Sequence, residues 1–181
     1  MQEGFRPGRG TSRQISNVFS TLEEAHITDK DLYMLYIDFS SAFNTIGHAQ
    51  LFEILNYMKY PAQIIKAIMA IYEKPTTVVA TPYGNTDTIE LKRGTIQGDT
   101  LSPLIFTIFI DPMLQWIYQE SEGVTSELGQ HEANHNGYAD DLLIFARTMK
   151  DIQKALGIIT RYAKYGDLEI NVSKCALTAT I

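Results

Sequence analysis

Asp38, Asp140 and Asp141 are the residues whose types could do chemistry together. Carboxylates are hard oxygen ligands, suited to Mg²⁺ or Mn²⁺. Two such ions about 3.5–4 Å apart stabilise both the attacking and the leaving oxygen of a phosphoryl transfer. Without a metal, clustered carboxylates repel and raise one another's pKa. Asp140-Asp141 by itself also suits a plain polar hairpin turn. Adjacent strand residues face opposite ways, so only one of the pair shares a face with Asp38 unless the turn re-aims it. The expectation is that Asp140 does.

For these acids to meet, the elements around them must bring distant segments together. Leu32–Ile37 is an apolar run ending at Asp38, and its length and two tyrosines predict a strand buried on both faces. Gly137–Ala139 and Leu142–Ala146 flank Asp140-Asp141 and predict a hairpin with its acids at the tip. Ahead of them, Thr11 and Gln14 form a capping-box pattern, followed by a helical stripe of Ile15, Val18, Phe19 and Leu22. Residues 48–73 predict two helices broken at Pro61. Thr76–Thr81 and Asp87–Leu91 alternate as strands around a turn at 82–85. Ser102-Pro103 starts a helix reaching about Glu120, in which Pro112 predicts a kink or break. Residues 121–135 read as a loop. Thr148 and Asp151 cap a further helix, with Leu168–Val172 and Ala176–Ile181 as strands after it. Without the 76–91 excursion the order is β-α-β-β-α-β, the split βαβ, ferredoxin-like plan of an α+β protein. In that plan the first strand and the acid-tipped hairpin are neighbours in one antiparallel sheet.

Composition sets bounds on this reading. The 181 residues suffice for one domain with a real core, and 45% hydrophobic against 20% charged residues excludes a disordered chain. One cysteine, Cys175, excludes an internal disulfide framework. The longest apolar stretch, Leu104–Ile110, is far short of the roughly 20 residues of a membrane span. The expectation is a soluble, intracellular protein with no membrane partner. The formal charge of −6 argues against a nucleic-acid binder, since such domains usually carry a basic excess. His48, His131 and His135 do not form a ligand set with Cys175, and no zinc site is expected. His26 reads as solvated; Phe106, Phe109 and Trp116 read as core.

Four segments in order give the constellation a family likeness. They are Asp38-Phe39-Ser40-Ser41-Ala42-Phe43-Asn44, Arg93-Gly94-Thr95-Ile96-Gln97-Gly98-Asp99 with Leu101-Ser102-Pro103-Leu104, Tyr138-Ala139-Asp140-Asp141, and Gly166 through Leu168-Glu169-Ile170-Asn171 to Lys174-Cys175. Upstream stands Gly4-Phe5-Arg6-Pro7-Gly8-Arg9. Together they resemble the palm of reverse transcriptases, those of non-LTR retrotransposons and group II introns most of all. The resemblance implies a polymerase palm with part of the fingers: residues 1–30 as partial fingers and palm entry, residues 31–181 as palm. It implies an RNA template, a DNA primer and a deoxynucleoside triphosphate as partners, and two Mg²⁺ or Mn²⁺ ions as cofactors. The setting would be the nucleus or an organelle in a eukaryote, otherwise the cytoplasm.

The resemblance also assigns roles. Asp38 and Asp140 would hold the two metals, with Asp141 assisting. Phe43 would be a steric gate that excludes the 2′-hydroxyl; outside the motif it reads as a core aromatic. Gln97 would touch the incoming nucleotide and template, with Gly94 and Gly98 permitting close backbone approach. Lys174 would protonate the leaving pyrophosphate, where a surface lysine is the alternative. Arg6 and Arg9 would reach the triphosphate. Asp99, just before a helix, reads as a helix-start residue rather than a ligand. Thr100, Gly47 and Arg13 depart from the family pattern, at positions outside the inferred metal ligands. No segment matches a thumb, so this stretch alone is expected to hold template–primer poorly, which answers part of the charge objection. Two alternatives remain: an RNA-dependent RNA polymerase palm, which Phe43 opposes, and an inactive relic that folds and binds nucleic acid.

Overall fold

The computed structural model describes residues 4–5, 8–96, 98–125 and 132–180. Its elements in order are α1 (Thr11–Ile27), β1 (Leu32–Ile37), β2 (Phe39–Ser40), α2 (Ala42–Thr45), α3 (His48–Tyr57) and α4 (Ala62–Tyr72). Then come β3 (Thr76–Thr77), β4 (Ala80–Thr81), β5 (Gly84–Asn85), β6 (Ile89–Glu90) and α5 (Ser102–Glu120). The last are β7 (Val124–Thr125), β8 (Glu132–Ala133), β9 (His135–Tyr138), β10 (Asp141–Ala146), α6 (Met149–Gly166), β11 (Glu169–Ile170) and β12 (Ala176–Thr180).

The central sheet runs β12-β1-β10-β9. Its neighbours pair antiparallel throughout. That is the strand order of a β-α-β-β-α-β core with α5 and α6 as its crossovers, as the pattern of elements predicts. Strand alternation divides the packing. Leu35, Ile37, Leu142 and Ile144 point into the large core with α3, α5 and α6. Leu32, Met34 and Phe145 point the other way, into a smaller cluster with Ala25, Val18 and Leu22 of α1. The β1 face toward α1 is left partly open, because Tyr36 is 39% exposed. The strand is therefore not buried on both faces along its length.

Local chemistry accounts for the starts of α5 and α6. Thr148 caps α6: its hydroxyl oxygen accepts from the Asp151 amide at 3.2 Å and donates to the Asp151 carboxylate at 2.5 Å. The Asp99 carboxylate accepts from the Leu101 amide at 3.2 Å, the helix-start role expected of it. Helix α5 continues through Pro112, so the break does not occur; Ile110, Met113 and Leu114 beside it are buried, and tertiary packing holds the turn. The Thr11–Gln14 capping box does not form either. Gly10 is the N-cap residue of α1, and Gln14 is buried with its amide committed elsewhere. The expected α1 stripe is also incomplete, since Ile15 and Phe19 are 55% and 67% exposed. The 121–135 loop contains the small β7–β8 pair. The 76–91 excursion is a narrow two-tier ribbon, β3–β6 and β4–β5, with all four strands exposed. Among the described residues, no helix is long and apolar enough to cross a membrane.

Candidate active site

Asp38 follows β1 directly, and its backbone is held from outside the main sheet. The Asn171 amide donates to the Asp38 carbonyl at 2.9 Å, next to the β2–β11 pairing of Phe39 with Ile170. A turn at Asn171–Lys174, closed by the Lys174 amide donating to the Asn171 carbonyl at 3.0 Å, then returns Lys174 toward Asp38. The Lys174 ammonium lies 3.6 Å from Asp38 Oδ2. That oxygen is buried and makes no hydrogen bond.

The opposing acids sit on the β9–β10 hairpin. Tyr138 pairs with Asp141, so Ala139 and Asp140 form a two-residue tip. Ala139 has φ 58°, a left-handed conformation that costs a non-glycine residue about 1–2 kcal/mol. The β1–β10 register runs to Ile37 opposite Leu142, and Asp38 and Asp141 are the next residues beyond that last pair. Both line a cavity of about 510 Å³ between α1 and the sheet, which Lys174 and Tyr36 also line. Asp38 and Asp141 thus share one cavity wall, with Asp140 beside them in the turn. The reason is that the pairing ends inside the Asp-Asp sequence, leaving Asp140 in the turn and Asp141 in the strand.

The three carboxylates are coupled by repulsion. Burial raises the pKa of Asp141, the charges of Asp140 and Asp38 raise it further, and Lys174 offsets them. A cation bound beside Asp141 would relieve the repulsion from Asp140 and Asp38. The donor set suits a divalent ion: hard carboxylate oxygens, one of them buried and without a hydrogen bond. Among the described residues, no group of three or more His, Cys, Asp or Glu side chains is by itself placed to hold a metal ion.

Phe43, in α2, is half-buried and packs at 4.7 Å on Phe106 and edge-on at 6.3 Å against Phe5. Its carbonyl accepts from both the amide and the hydroxyl of Thr95, at 2.6 and 3.2 Å. The Gly94 amide donates to the Ile46 carbonyl at 2.8 Å, and His48 Nε2 contacts the Gly94 carbonyl at 2.8 Å. Thus the Arg93–Asp99 segment is strapped to the Asp38–Asn44 segment. Gly94 is required there: φ is +83° and a Cβ would meet the Asn44 carbonyl oxygen at 2.5 Å. Gly98 also has positive φ, +85°, but a Cβ there would meet nothing within 4 Å among the described residues, so its backbone conformation rather than a close contact favours glycine. Arg9 is half-buried just before α1. Arg6, Gln97 and His131 lie outside the described residues.

Two residues at the site escaped the sequence reading. Gln14 Nε2 donates to the Gly137 carbonyl at 3.1 Å, and Asn136 Nδ2 donates to the Gln14 carbonyl at 3.4 Å. Together they fasten α1 to the acid-bearing hairpin. The available signal was a polar residue just before the stripe of an amphipathic helix. His135 is structural: burial pushes its pKa down to about 3, and Nδ1 contacts Asn134 Oδ1 at 2.7 Å. Phe106 and Phe109 are core, and Trp116 packs against the core with Arg161 over its ring.

Residues 1–180 match the family described as "Reverse transcriptase (RNA-dependent DNA polymerase)". This chain belongs to the reverse transcriptase family. Its relatives include the Pol polyprotein of the type-2 retrotransposable element R2DM of Drosophila melanogaster, 27% identical over 96% of this chain and 16% of that protein. The R2 Pol polyprotein of Nasonia vitripennis is 28% identical over 99% of this chain and 17% of that protein. The RNA-directed DNA polymerase from mobile element jockey of Drosophila melanogaster is 22% identical over 97% of this chain and 19% of that protein. The chain thus spans about a sixth of the length of the first two. Among solved structures, apo telomerase from Candida tropicalis superposes with a TM-score of 0.72 at 17% identity, covering 94% of this chain and 35% of that one. The palm-type polymerase fold predicted from the motifs is therefore the fold of this reverse transcriptase domain, and its relatives are non-LTR retrotransposon polymerases. The family generally uses divalent metal ions and binds an RNA template.

Proposed function

We propose that this chain is the catalytic palm of a retroelement RNA-directed DNA polymerase. It adds a deoxynucleoside monophosphate to a DNA primer 3′-hydroxyl on an RNA template and releases pyrophosphate. The observation that carries the reading is that Asp38, just after β1, and Asp141, at the start of the adjacent β10, line one open cavity, with Lys174 at 3.6 Å from Asp38. Asp38, Asp140 and Asp141 are the oxygen donors for two Mg²⁺ or Mn²⁺ ions. An unclosed carboxylate group suits Mg²⁺, which is commonly held by one or two carboxylates together with waters and substrate phosphates. Bound there, the ions supply charge neutralisation at the attacking and leaving oxygens.

The remaining roles fall to the chain's own side chains. Lys174, 68% exposed in its side chain, carries a proton that it gives to the departing pyrophosphate. Phe43, braced between Phe5 and Phe106, excludes a sugar bearing a 2′-hydroxyl. Gln97 touches the incoming nucleotide and the template, Gly98 permits close backbone approach, and Arg6 and Arg9 take the triphosphate. Residues 1–30 belong to the fingers and palm entry, residues 31–181 to the palm, and the enzyme works inside the cell.

Primer extension on an RNA template with Mg²⁺ or Mn²⁺ tests the proposal. Extension with deoxynucleotides that disappears in Asp140→Ala and in Asp141→Asn supports it. If the wild type stays silent even with a thumb appended from a related enzyme, the chain is an inactive palm.

A further inference from the structure

A second cleft lies on the helical side of the sheet, at the junction of α3, α5 and α6. It has a volume of about 350 Å³ and is lined by Glu53, Ile54, Tyr57, Pro112, Tyr162 and Tyr165. The Asp38–Asp141 cavity opens between the sheet and α1 instead. At the small end of ligand-pocket sizes, the cleft has room for a compact head group.

Its walls are aromatic. Tyr162 and Tyr165 lie three residues apart on α6, with ring centroids 5.9 Å apart and planes inclined at 59°. Tyr162 is 7% exposed and its hydroxyl donates to the Phe109 carbonyl, which fixes that ring. Tyr57 is 81% exposed and stands four residues from Glu53 on α3, a wall free to close. The Tyr165 hydroxyl donates to Glu53 Oε2 at 2.7 Å, holding the carboxylate at the rim. Among the described residues, no basic side chain pairs with Glu53. Arg161, one turn before Tyr165, is engaged over the Trp116 ring at 4.8 Å.

A carboxylate with no basic partner among the described residues, beside three aromatic rings, suits a cation. The faces of the rings carry negative potential and favour cations that shed water easily. A phosphate or nucleotide is repelled by Glu53, and a small hydrated metal ion finds only one carboxylate. We propose that this cleft binds a methylated ammonium group carried on a flexible stem, with the rings of Tyr57, Tyr162 and Tyr165 around the cation and Glu53 supplying the countercharge. The site is independent of the polymerase chemistry, so its test requires no catalysis.

The test is titration of the 181-residue chain, followed by tyrosine ring resonances. Three probes are used: N-acetyl-trimethyllysine amide, choline, and the trimethyllysine analogue whose head is a neutral tert-butyl group. The charged trimethyllysine compound binds about threefold or more tightly than its neutral analogue, the margin expected of cation–π attraction at a partly exposed site. Tyr57→Ala and Glu53→Gln each weaken it by about threefold or more, and Tyr57→Phe restores binding. Both positions are exposed, and thermal melting checks that the variants fold. Preference for trimethyllysine over choline identifies a protein side chain as the source; equal binding identifies a small molecule. Equal affinity for the charged and neutral heads, no saturable binding, or indifference to both variants overturns the proposal.

Discussion

The Gln14 side-chain amide donates to the Gly137 carbonyl at 3.1 Å, joining residues 123 positions apart in a buried setting. Gly137 is opposite Leu142 in the hairpin that carries Asp140 and Asp141. The first helix is therefore fastened to the acid-bearing hairpin by a specific polar contact rather than by apolar burial alone. Gln14→Leu leaves a buried carbonyl without that partner and is expected to destabilise the chain by roughly 1–3 kcal/mol. Urea unfolding measures the loss. Hydrogen exchange at Tyr138–Ala146 rises in the same variant if the contact holds the hairpin.

Gly94 and Gly98 share a left-handed conformation but not a neighbourhood. Gly94→Ala drives a Cβ into the Asn44 backbone, whereas Gly98→Ala meets open space. Both pay the left-handed penalty of about 1–2 kcal/mol, and Gly94→Ala costs a further kcal/mol or more through steric displacement. A comparison of denaturation midpoints separates the two. Equal midpoints contradict the close approach of the Arg93–Asp99 segment to Asn44.

The Thr148–Asp151 cap has a pH signature. The Thr148 hydroxyl donates to Asp151 and is first among the causes that hold its pKa below the usual carboxylate value, with Lys154 at 3.3 Å adding to it. A depressed folded-state pKa contributes stability above the unfolded pKa of about 3.8, and that contribution is lost as pH falls through the folded value. Stability measured from pH 6 to pH 2 is expected to fall less steeply in Asp151→Asn than in the wild type. Thr148→Ala costs about 1 kcal/mol at neutral pH.

Divalent ions are expected to stabilise the fold itself. The charges of Asp140 and Asp38 disfavour the ionised form of Asp141, so a bound cation relieves that repulsion in the folded state. Mn²⁺ at about 100 times its dissociation constant raises stability by about 2.7 kcal/mol. Thermal melting with and without the ion shows the shift, and Asp38→Asn with Asp141→Asn abolishes it. An unchanged shift in the double variant places the ion elsewhere.

Much of this molecule is legible in its residues. Helix and strand identities follow from local periodicity, and β1 and α5 fall where the apolar runs and Ser102-Pro103 predict. The Thr148–Asp151 cap is equally local. Misreadings occur where a neighbour distant in sequence decides. Thr11 and Gln14 have the spacing of a capping box, yet Gly137 claims the Gln14 amide. Pro112 carries a break signal, yet the packing of Ile110, Met113 and Leu114 keeps α5 continuous.

The sequence by itself determined the chemical inventory and its order: three aspartates, Phe43, Lys174 and the glycine-bearing segment between them, on a β-α-β-β-α-β plan. Tertiary structure decided which of them meet. The hairpin register leaves Asp140 in the turn and puts Asp141 on the cavity wall with Asp38, because shifting a strand by one residue exchanges its two faces. The pairing of β2 with β11 returns Lys174 to Asp38, and the cleft of Glu53 with its three tyrosines exists only where α3 and α6 pack together. Periodicity acts over a few residues; these contacts depend on register and helix packing, which the whole chain sets at once.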